Sequence, residues 1–187
     1  NRFVMGQKIY ARRCFEAMLC VKKEMKLNSP DSVISMMFPL DSTPDEIYET
    51  AEKLIEEAKS ETTNFDDTAR ILDYFGLLPM KLKRISPFHG SLFITSMASL
   101  GLPPIYHHIY NFGNVPVFIA FGITERKHVL KSDGSIEEKK MMNYTLVMDE
   151  RICDGYYYAS AFRLFNGLLR NPWQLDEKPK EIVEDVD

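Results

Sequence analysis

Two apolar runs in the second half of the chain place the strongest constraint on its fold. Residues 92–95 and 115–121 are dense in β-branched and aromatic side chains, a composition typical of strands buried in a sheet. Helical patterns occur before and after them, and no internal repeat or low-complexity linker interrupts the 187 residues. We therefore predict one α/β domain in which helices pack on a sheet.

The first forty residues predict further strands. Gly6 is a turn signal between two short apolar segments, which indicates a β-hairpin. Residues 15–21 alternate in polarity and are predicted as a strand, although the composition of residues 12–25 also suits a helix. Residues 33–38 form another apolar strand candidate, which ends before Pro39.

A helix that starts at Thr43 has the clearest local pattern. Thr43 offers an N-cap hydroxyl, Pro44 occupies the first helical position and Glu46 completes a capping box. The apolar side chains that follow share one helical face: Ile47, Ala51, Leu54, Ile55 and Ala58. We expect this face to pack on an apolar surface. A second helix is predicted over residues 66–75.

The last part of the chain predicts a hairpin, a helix and a tail. Asp133 and Gly134 predict a turn between strands over residues 123–129 and 141–148. The final helix is predicted over residues 158–169, with one apolar stripe: Ala159, Phe162, Phe165 and Leu169. Residues 176–187 are predicted to be an acidic tail.

Composition excludes several classes of function. The net charge of −4 provides no basic surface for nucleic acid or acidic lipid. No apolar run approaches the roughly 20 residues of a membrane helix, so we expect no membrane partner. Cys14, Cys20 and Cys153 lack zinc-like spacing, which favours a cytoplasmic protein without a metal site. Because the chain begins at Asn1 rather than at methionine, we expect an amino-terminal part to be missing.

Residues 148–155, here called the charged corner, contain the most chemically informative pattern. They read Met-Asp-Glu-Arg-Ile-Cys-Asp-Gly between an apolar run and a helix, so rigid elements would fix their side chains on both sides. The segment resembles the Asp-His-Arg-x-x-Asp-Gly sequence in the catalytic domain of 2-oxo-acid dehydrogenase acyltransferases. It is also similar to the His-His-x-x-x-Asp-Gly sequence of chloramphenicol acetyltransferases. Where both families carry their catalytic histidine, this chain has Glu150.

Other segments resemble the dehydrogenase acyltransferases in the same order: residues 1–10, 38–40, 90–101, 115–122 and 168–172. The resemblance implies a chloramphenicol acetyltransferase-like mixed β-sheet with helices packed on it. The acyltransferase-like catalytic domain would cover residues 1–175, with an insertion at about 62–86. The resemblance also implies a homotrimer whose active sites lie between two subunits. Coenzyme A, acyl-CoA or a carrier thiol would be the substrate.

In these families the histidine takes a proton from a thiol, the thiolate attacks an acyl thioester, and a hydroxyl stabilises the oxyanion. By resemblance that hydroxyl belongs to Thr95; the alternative is that Thr95 is an ordinary strand residue. An ordinary glutamate is a weaker base than histidine by about 2 pKa units, or about 3 kcal/mol. Burial would reduce this deficit for Glu150, whereas Arg151 turned inward would increase it.

The histidines offer a substitute base. His107 and His108 lie in the loop that lines the acceptor pocket in chloramphenicol acetyltransferases, and one of them would work with Glu150 as base and orienter. The alternative is that they cap a turn or pack at the trimer interface. His89 and His128 have no supporting pattern.

The remaining candidates surround these residues. Asp154 is expected to hold the loop through an ion pair, as its counterpart does in the family. Ser96, Arg151, Tyr156 and Tyr157 are candidate substrate-binding residues. For the two tyrosines, packing in the core or an interface is the alternative.

Two functional hypotheses follow. The first is an acyltransferase-like protein that moves an acyl group between coenzyme A, or a carrier thiol, and an unknown acceptor with an altered catalytic base. The second is a catalytically inactive trimeric scaffold or regulatory pseudoenzyme of the same fold. An acyl-CoA binding module without transfer is a third possibility.

Overall fold

The computed structural model describes residues 1–22, 31–60, 71, 72, 75, 77 and 88–182. Its strands are β1 (Arg2–Met5), β2 (Lys8–Ala11), β3 (Phe15–Lys22), β4 (Asp31–Phe38), β5 (Leu92–Ser96), β6 (Val117–Leu130) and β7 (Ile136–Met148). The helices are α1 (Pro44–Ser60) and α2 (Gly155–Arg170), with short 3-10 turns at Ala98–Leu100 and Pro172–Leu175. Strands β1 and β2 form a separate hairpin, and the others form a sheet in the order β4-β3-β5-β6-β7. The predicted fold class is confirmed.

Strand direction determines which residues meet at the edge of the sheet. The β3–β5 and β5–β6 pairs are parallel, whereas β3–β4 and β6–β7 are antiparallel. Phe93 pairs with Phe118, and Phe118 pairs with Val147. The starts of β5 and β6 therefore lie beside the end of β7, where the charged corner begins.

The core occupies both faces of the sheet, because successive residues of a strand point to opposite sides. Buried Ala17 lies in one cluster, against which Ala51 and Leu54 of α1 pack. Its neighbour Met18 lies in the other cluster with Phe93, Val115 and Phe118, against which partly buried side chains pack: Cys20, Val33 and Val147. Helix α1 thus packs on the sheet through part of its predicted apolar face, whereas Ile47 at its start is 39% exposed and lies outside the contact.

Several local predictions are confirmed. The hairpin turns at Gly6, whose φ is 62°. The Thr43 N–H donates to the Glu46 carboxylate at 2.9 Å, and the Glu46 N–H donates back to the Thr43 hydroxyl at 3.4 Å. The turn at Gly134 joins β6 to β7. Residues 15–22 form a strand, so the helical alternative is wrong over that segment.

Other predictions are corrected. The sequence predicts two separate strand segments over residues 115–121 and 123–129, whereas β6 runs without a break from Val117 to Leu130, with irregular pairing between Phe121 and Thr124. Gly122 lies at this irregularity. Only glycine fits there, because a Cβ would be 2.3 Å from Pro104 Cδ. In α2, Leu169 is 54% exposed and is not part of the packed stripe. The predicted helix over residues 66–75 and the insertion at 62–86 lie mostly outside the described residues.

Two glycines with positive φ provide a matched stability test. Gly113 (φ 74°) and Gly134 (φ 82°) both have left-handed backbones. An added Cβ would be 2.2 Å from the Phe88 carbonyl oxygen at Gly113 but meets nothing within 4 Å at Gly134. We expect Gly134→Ala to cost about 1 kcal/mol of unfolding free energy. Gly113→Ala should cost at least about 2 kcal/mol more. Equal costs in urea unfolding would contradict the close approach.

Candidate functional site

The charged corner is fixed to the sheet by Asp149. Its N–H donates to the Pro116 carbonyl at 2.9 Å, and its carbonyl accepts the Tyr158 hydroxyl at 2.8 Å. The buried Asp149 carboxylate accepts Arg151 Nε at 2.8 Å, Arg151 Nη2 at 2.6 Å and the Arg151 backbone N–H at 3.1 Å. The corner therefore has a fixed geometry where β7 turns into α2.

These contacts set the charge state of the corner. Hydrogen bonds from Arg151 hold the pKa of Asp149 below its usual value, and burial opposes this only in part. The same pairing raises the pKa of Arg151. Burial and a hydrogen bond with Cys153 raise the pKa of Tyr158, so its hydroxyl stays a proton donor. Arg151 is thus paired with Asp149 rather than turned towards Glu150.

A cavity of about 700 Å³ opens at this edge of the sheet, a volume in the range of small-molecule sites. Its walls are the β1–β2 hairpin, the loop over residues 109–113, His89 and residues 148–151. Glu150 lines the cavity with an exposed side chain, and within the described residues it makes no hydrogen bond or ion pair. Glu150 is therefore open to a ligand.

His89 lines the same cavity, and sequence reasoning missed it. It is 5% exposed and lies just before β5. No periodic pattern or local motif singles it out. The only available signal was its position next to Gly90 and Ser91, in the segment that resembles the acyltransferases.

Thr95 lies near the end of β5, whereas the corner lies beside the start of that strand. It is half-buried and pairs with Ala120, which pairs in turn with Thr145. Since the charged corner begins three residues beyond Thr145, Thr95 and the start of the corner lie about 10 Å apart along the strands. One chain therefore does not bring Thr95 or its exposed neighbour Ser96 together with Glu150.

His107 and His108 lie outside the cavity of Glu150, although the next residue lines it. The His107 ring stacks on Phe118 at 4.8 Å, and burial lowers its pKa. His107 Nε2 is buried without a hydrogen-bond partner among the described residues. His108 is exposed. A single chain does not place either ring beside Glu150.

Asp154 holds the corner as a helix cap. Its carboxylate accepts the Tyr157 N–H at 2.9 Å, which satisfies one of the free donors at the start of α2. The ion pair at this corner is made by Asp149 instead. Tyr156 and Tyr157 are 76% and 66% exposed, so within one chain neither is a core residue.

Within the described residues, no three His, Cys, Asp or Glu side chains cluster closely enough to hold a metal ion. None of the helices in this part of the chain combines the length and apolarity needed to cross a membrane.

The Asp149–Arg151 pair predicts a pH-dependent contribution to stability. Because the pKa of Asp149 is lowered on folding, the pair stabilises the fold above about pH 4 and loses its effect as the pH falls below that. Asp149→Asn should cost about 1–3 kcal/mol at pH 7. The cost should shrink towards pH 3 in urea unfolding experiments. Glu150→Gln, the neighbouring control, should stay within about 0.5 kcal/mol of the unaltered protein. A cost for Asp149→Asn that does not change with pH would contradict the pairing.

The chain resembles known proteins in sequence and in fold. Residues 87–176 match the family model described as 2-oxoacid dehydrogenases acyltransferase (catalytic domain). No curated protein has significant similarity to the chain. Among solved structures, a probable dihydrolipoamide acetyltransferase from Listeria monocytogenes 4b F2365 is similar, with a TM-score of 0.62 and 15% identity. That match covers 98% of this chain and 65% of that one.

Two further structures give the same result. The dihydrolipoamide acetyltransferase of Azotobacter vinelandii matches with a TM-score of 0.62 and 14% identity, over 94% of this chain and 62% of that one. The cubic core of the pyruvate dehydrogenase multienzyme complex matches with a TM-score of 0.59 and 16% identity, over 90% of this chain and 60% of that one. This chain thus spans less than two thirds of the length of all three. In sequence over residues 87–176, and in fold over most of its length, it resembles the acyltransferase catalytic domain of 2-oxoacid dehydrogenases.

Proposed function

We propose that this protein transfers an acyl group between coenzyme A, or a carrier thiol, and an acceptor at the charged corner. The observation that carries the proposal is the open carboxylate of Glu150 in the wall of the cavity of about 700 Å³. It occupies the position that the resemblance assigns to a catalytic base. The corner itself lies within the segment that matches the acyltransferase family.

The chemistry needs a base and an oxyanion donor. The Glu150 carboxylate would accept the proton of the thiol, and the thiolate would attack the acyl carbonyl. The Thr95 hydroxyl would donate to the resulting oxyanion. Because Arg151 is paired with Asp149, its charge is not directed at Glu150. This pairing supports a role for Glu150 as base.

The spacing of Thr95, Glu150 and Asp154 supports the assignment of Thr95 and Glu150 to the site. Catalysis in the Azotobacter vinelandii enzyme was studied through a serine, a histidine and an asparagine, and the last two lie 4 positions apart. Glu150 and Asp154 have the same spacing. The serine precedes the histidine by 52 positions there, and Thr95 precedes Glu150 by 55 here.

A second copy of the chain would complete the site. Thr95 and the corner that carries Glu150 lie near opposite ends of β5, so one copy would supply Glu150 and its neighbour would supply Thr95. We propose a homotrimer with three such shared sites. The exposed Tyr156 and Tyr157, together with Ser96, would line the channel between copies, and His107 or His108 would approach Glu150 only across this interface.

The pseudoenzyme hypothesis is favoured by one observation, the replacement of a histidine by the less basic Glu150. It predicts that the Glu150 carboxylate is held by structural hydrogen bonds. In the described part of the chain the carboxylate has none, which supports the catalytic proposal instead.

Complementation between two inactive variants tests the shared site. Glu150→Gln and Thr95→Ala should each lower kcat/KM for acetyl transfer from acetyl-CoA to small thiols by about 100-fold. When the two are co-expressed, random assortment should restore roughly one quarter of the sites, because those sites combine both native residues. The exposed control Glu177→Gln should leave the rate unchanged.

The outcomes separate the hypotheses. Absence of turnover with thiol, alcohol and amine acceptors would favour the pseudoenzyme. Absence of activity after co-expression of the two inactive variants would contradict a site shared between copies.

A further inference from the structure

We propose that His89 is a catalytic residue that supplies, from the loop before β5, the imidazole missing from the charged corner. In this arrangement His89 takes over from Glu150 the transfer of the thiol proton, and Glu150 stabilises the imidazolium that forms. The inference rests on the proposed acyl transfer and adds a residue outside the segment where the family's base lies. It is carried by the shared cavity, because both side chains line it.

The chain on both sides of His89 is rigidly held. Before it, the Phe88 carbonyl accepts the Asn114 N–H at 2.9 Å. After it, the Ser91 N–H donates to the Glu16 carbonyl at 2.7 Å, and the Ser91 hydroxyl accepts the Glu16 N–H at 3.1 Å. Anchors on both sides limit the motion of the ring that lies between them.

Close packing removes the remaining freedom of this loop. A Cβ on Gly90 would be 3.0 Å from the Met18 side chain and 3.2 Å from the Glu16 carbonyl oxygen. A Cβ on Gly113 would overlap the Phe88 carbonyl. The loop that carries His89 is thus pressed against β3 on one side and against the 109–113 loop on the other. A buried ring in such a setting keeps its direction.

Among the acidic side chains near the cavity, we assign to Glu150 the role of stabilising the imidazolium. The Asp149 carboxylate is taken by Arg151. The Glu16 carboxylate accepts the Ser35 hydroxyl at 2.6 Å and so is directed towards β4. Burial raises the pKa of Tyr110, which also lines the cavity, so this residue is neutral. Glu150 is the acidic side chain of the wall that the described contacts leave open.

The proton and bond changes balance. The acceptor thiol loses its proton to the His89 imidazole, and its sulfur forms a bond to the carbonyl carbon of the acyl thioester. The tetrahedral oxyanion then collapses, the original carbon–sulfur bond breaks, and the leaving thiolate takes the proton back from the imidazolium. An imidazole is closer than a carboxylate in pKa to a thiol by about 2 units, so the pair is a better base than Glu150 alone.

The first test uses the unaltered full chain and needs no turnover. The ring signals of His89, His107, His108 and His128 are assigned by NMR from single His→Gln variants. Addition of coenzyme A should shift the His89 ring signals and leave those of His128, which lies exposed on β6, unchanged. Unshifted His89 signals at saturating coenzyme A would overturn the inference, whether or not the His89 variants fold well.

The second test uses rates. His89→Gln should lower kcat for acetyl transfer from acetyl-CoA to a small thiol by about 100-fold while the dissociation constant for coenzyme A changes less than about threefold. His128→Gln should match the unaltered protein. Turnover that survives His89→Gln would overturn the role of His89 and leave the proposed acyl transfer standing. Absence of turnover in the unaltered protein would overturn the proposed function, and the catalytic role of His89 with it.

Discussion

The exchange of hydrogen bonds between Ser91 and Glu16 is the interaction on which the sheet edge depends. The Ser91 N–H reaches the Glu16 carbonyl at 2.7 Å, and the Ser91 hydroxyl accepts the Glu16 N–H at 3.1 Å and donates to Asn1 Oδ1 at 2.5 Å. Strands β3 and β5 are parallel, so no hairpin turn fixes their register. A slip of one residue would move Met18 and Phe93 to the wrong faces. The buried Ser91–Glu16 exchange prevents that slip.

The same edge collects the parts of the candidate site. The β1–β2 hairpin is held there by Arg12, which lies 4.3 Å above the Phe3 ring and hydrogen bonds to Asn114. Burial lowers the pKa of Arg12, and the nearby Glu16 opposes this effect. The hairpin, the loop before β5 and the charged corner therefore meet around one cavity. The polar residues of its wall come from separate segments, which the register of the central strands brings to the same edge of the sheet.

Patterns that depend on neighbours in the chain predicted much of the fold. The capping box at Thr43, the turn at Gly134 and the strand over residues 15–22 are local, and the structure has all of them. The continuous strand β6 across Gly122 is not predicted, because the close approach of Pro104 to this glycine comes from a loop distant in the sequence. His89 was missed for the same kind of reason. Its place in the cavity that Glu150 also lines depends on parallel strand pairing, which leaves no periodic pattern in the sequence.

The resemblance to an acyltransferase domain and the presence of Glu150 at the corner are compatible if an imidazole comes from another loop and the hydroxyl from another copy. The most direct test is a crystal structure of the assembled protein with coenzyme A bound. The account predicts that the thiol lies in the cavity between Glu150 and His89 of one copy, facing Thr95 of the next. A thiol bound elsewhere, or copies that assemble with Thr95 far from Glu150, would contradict it.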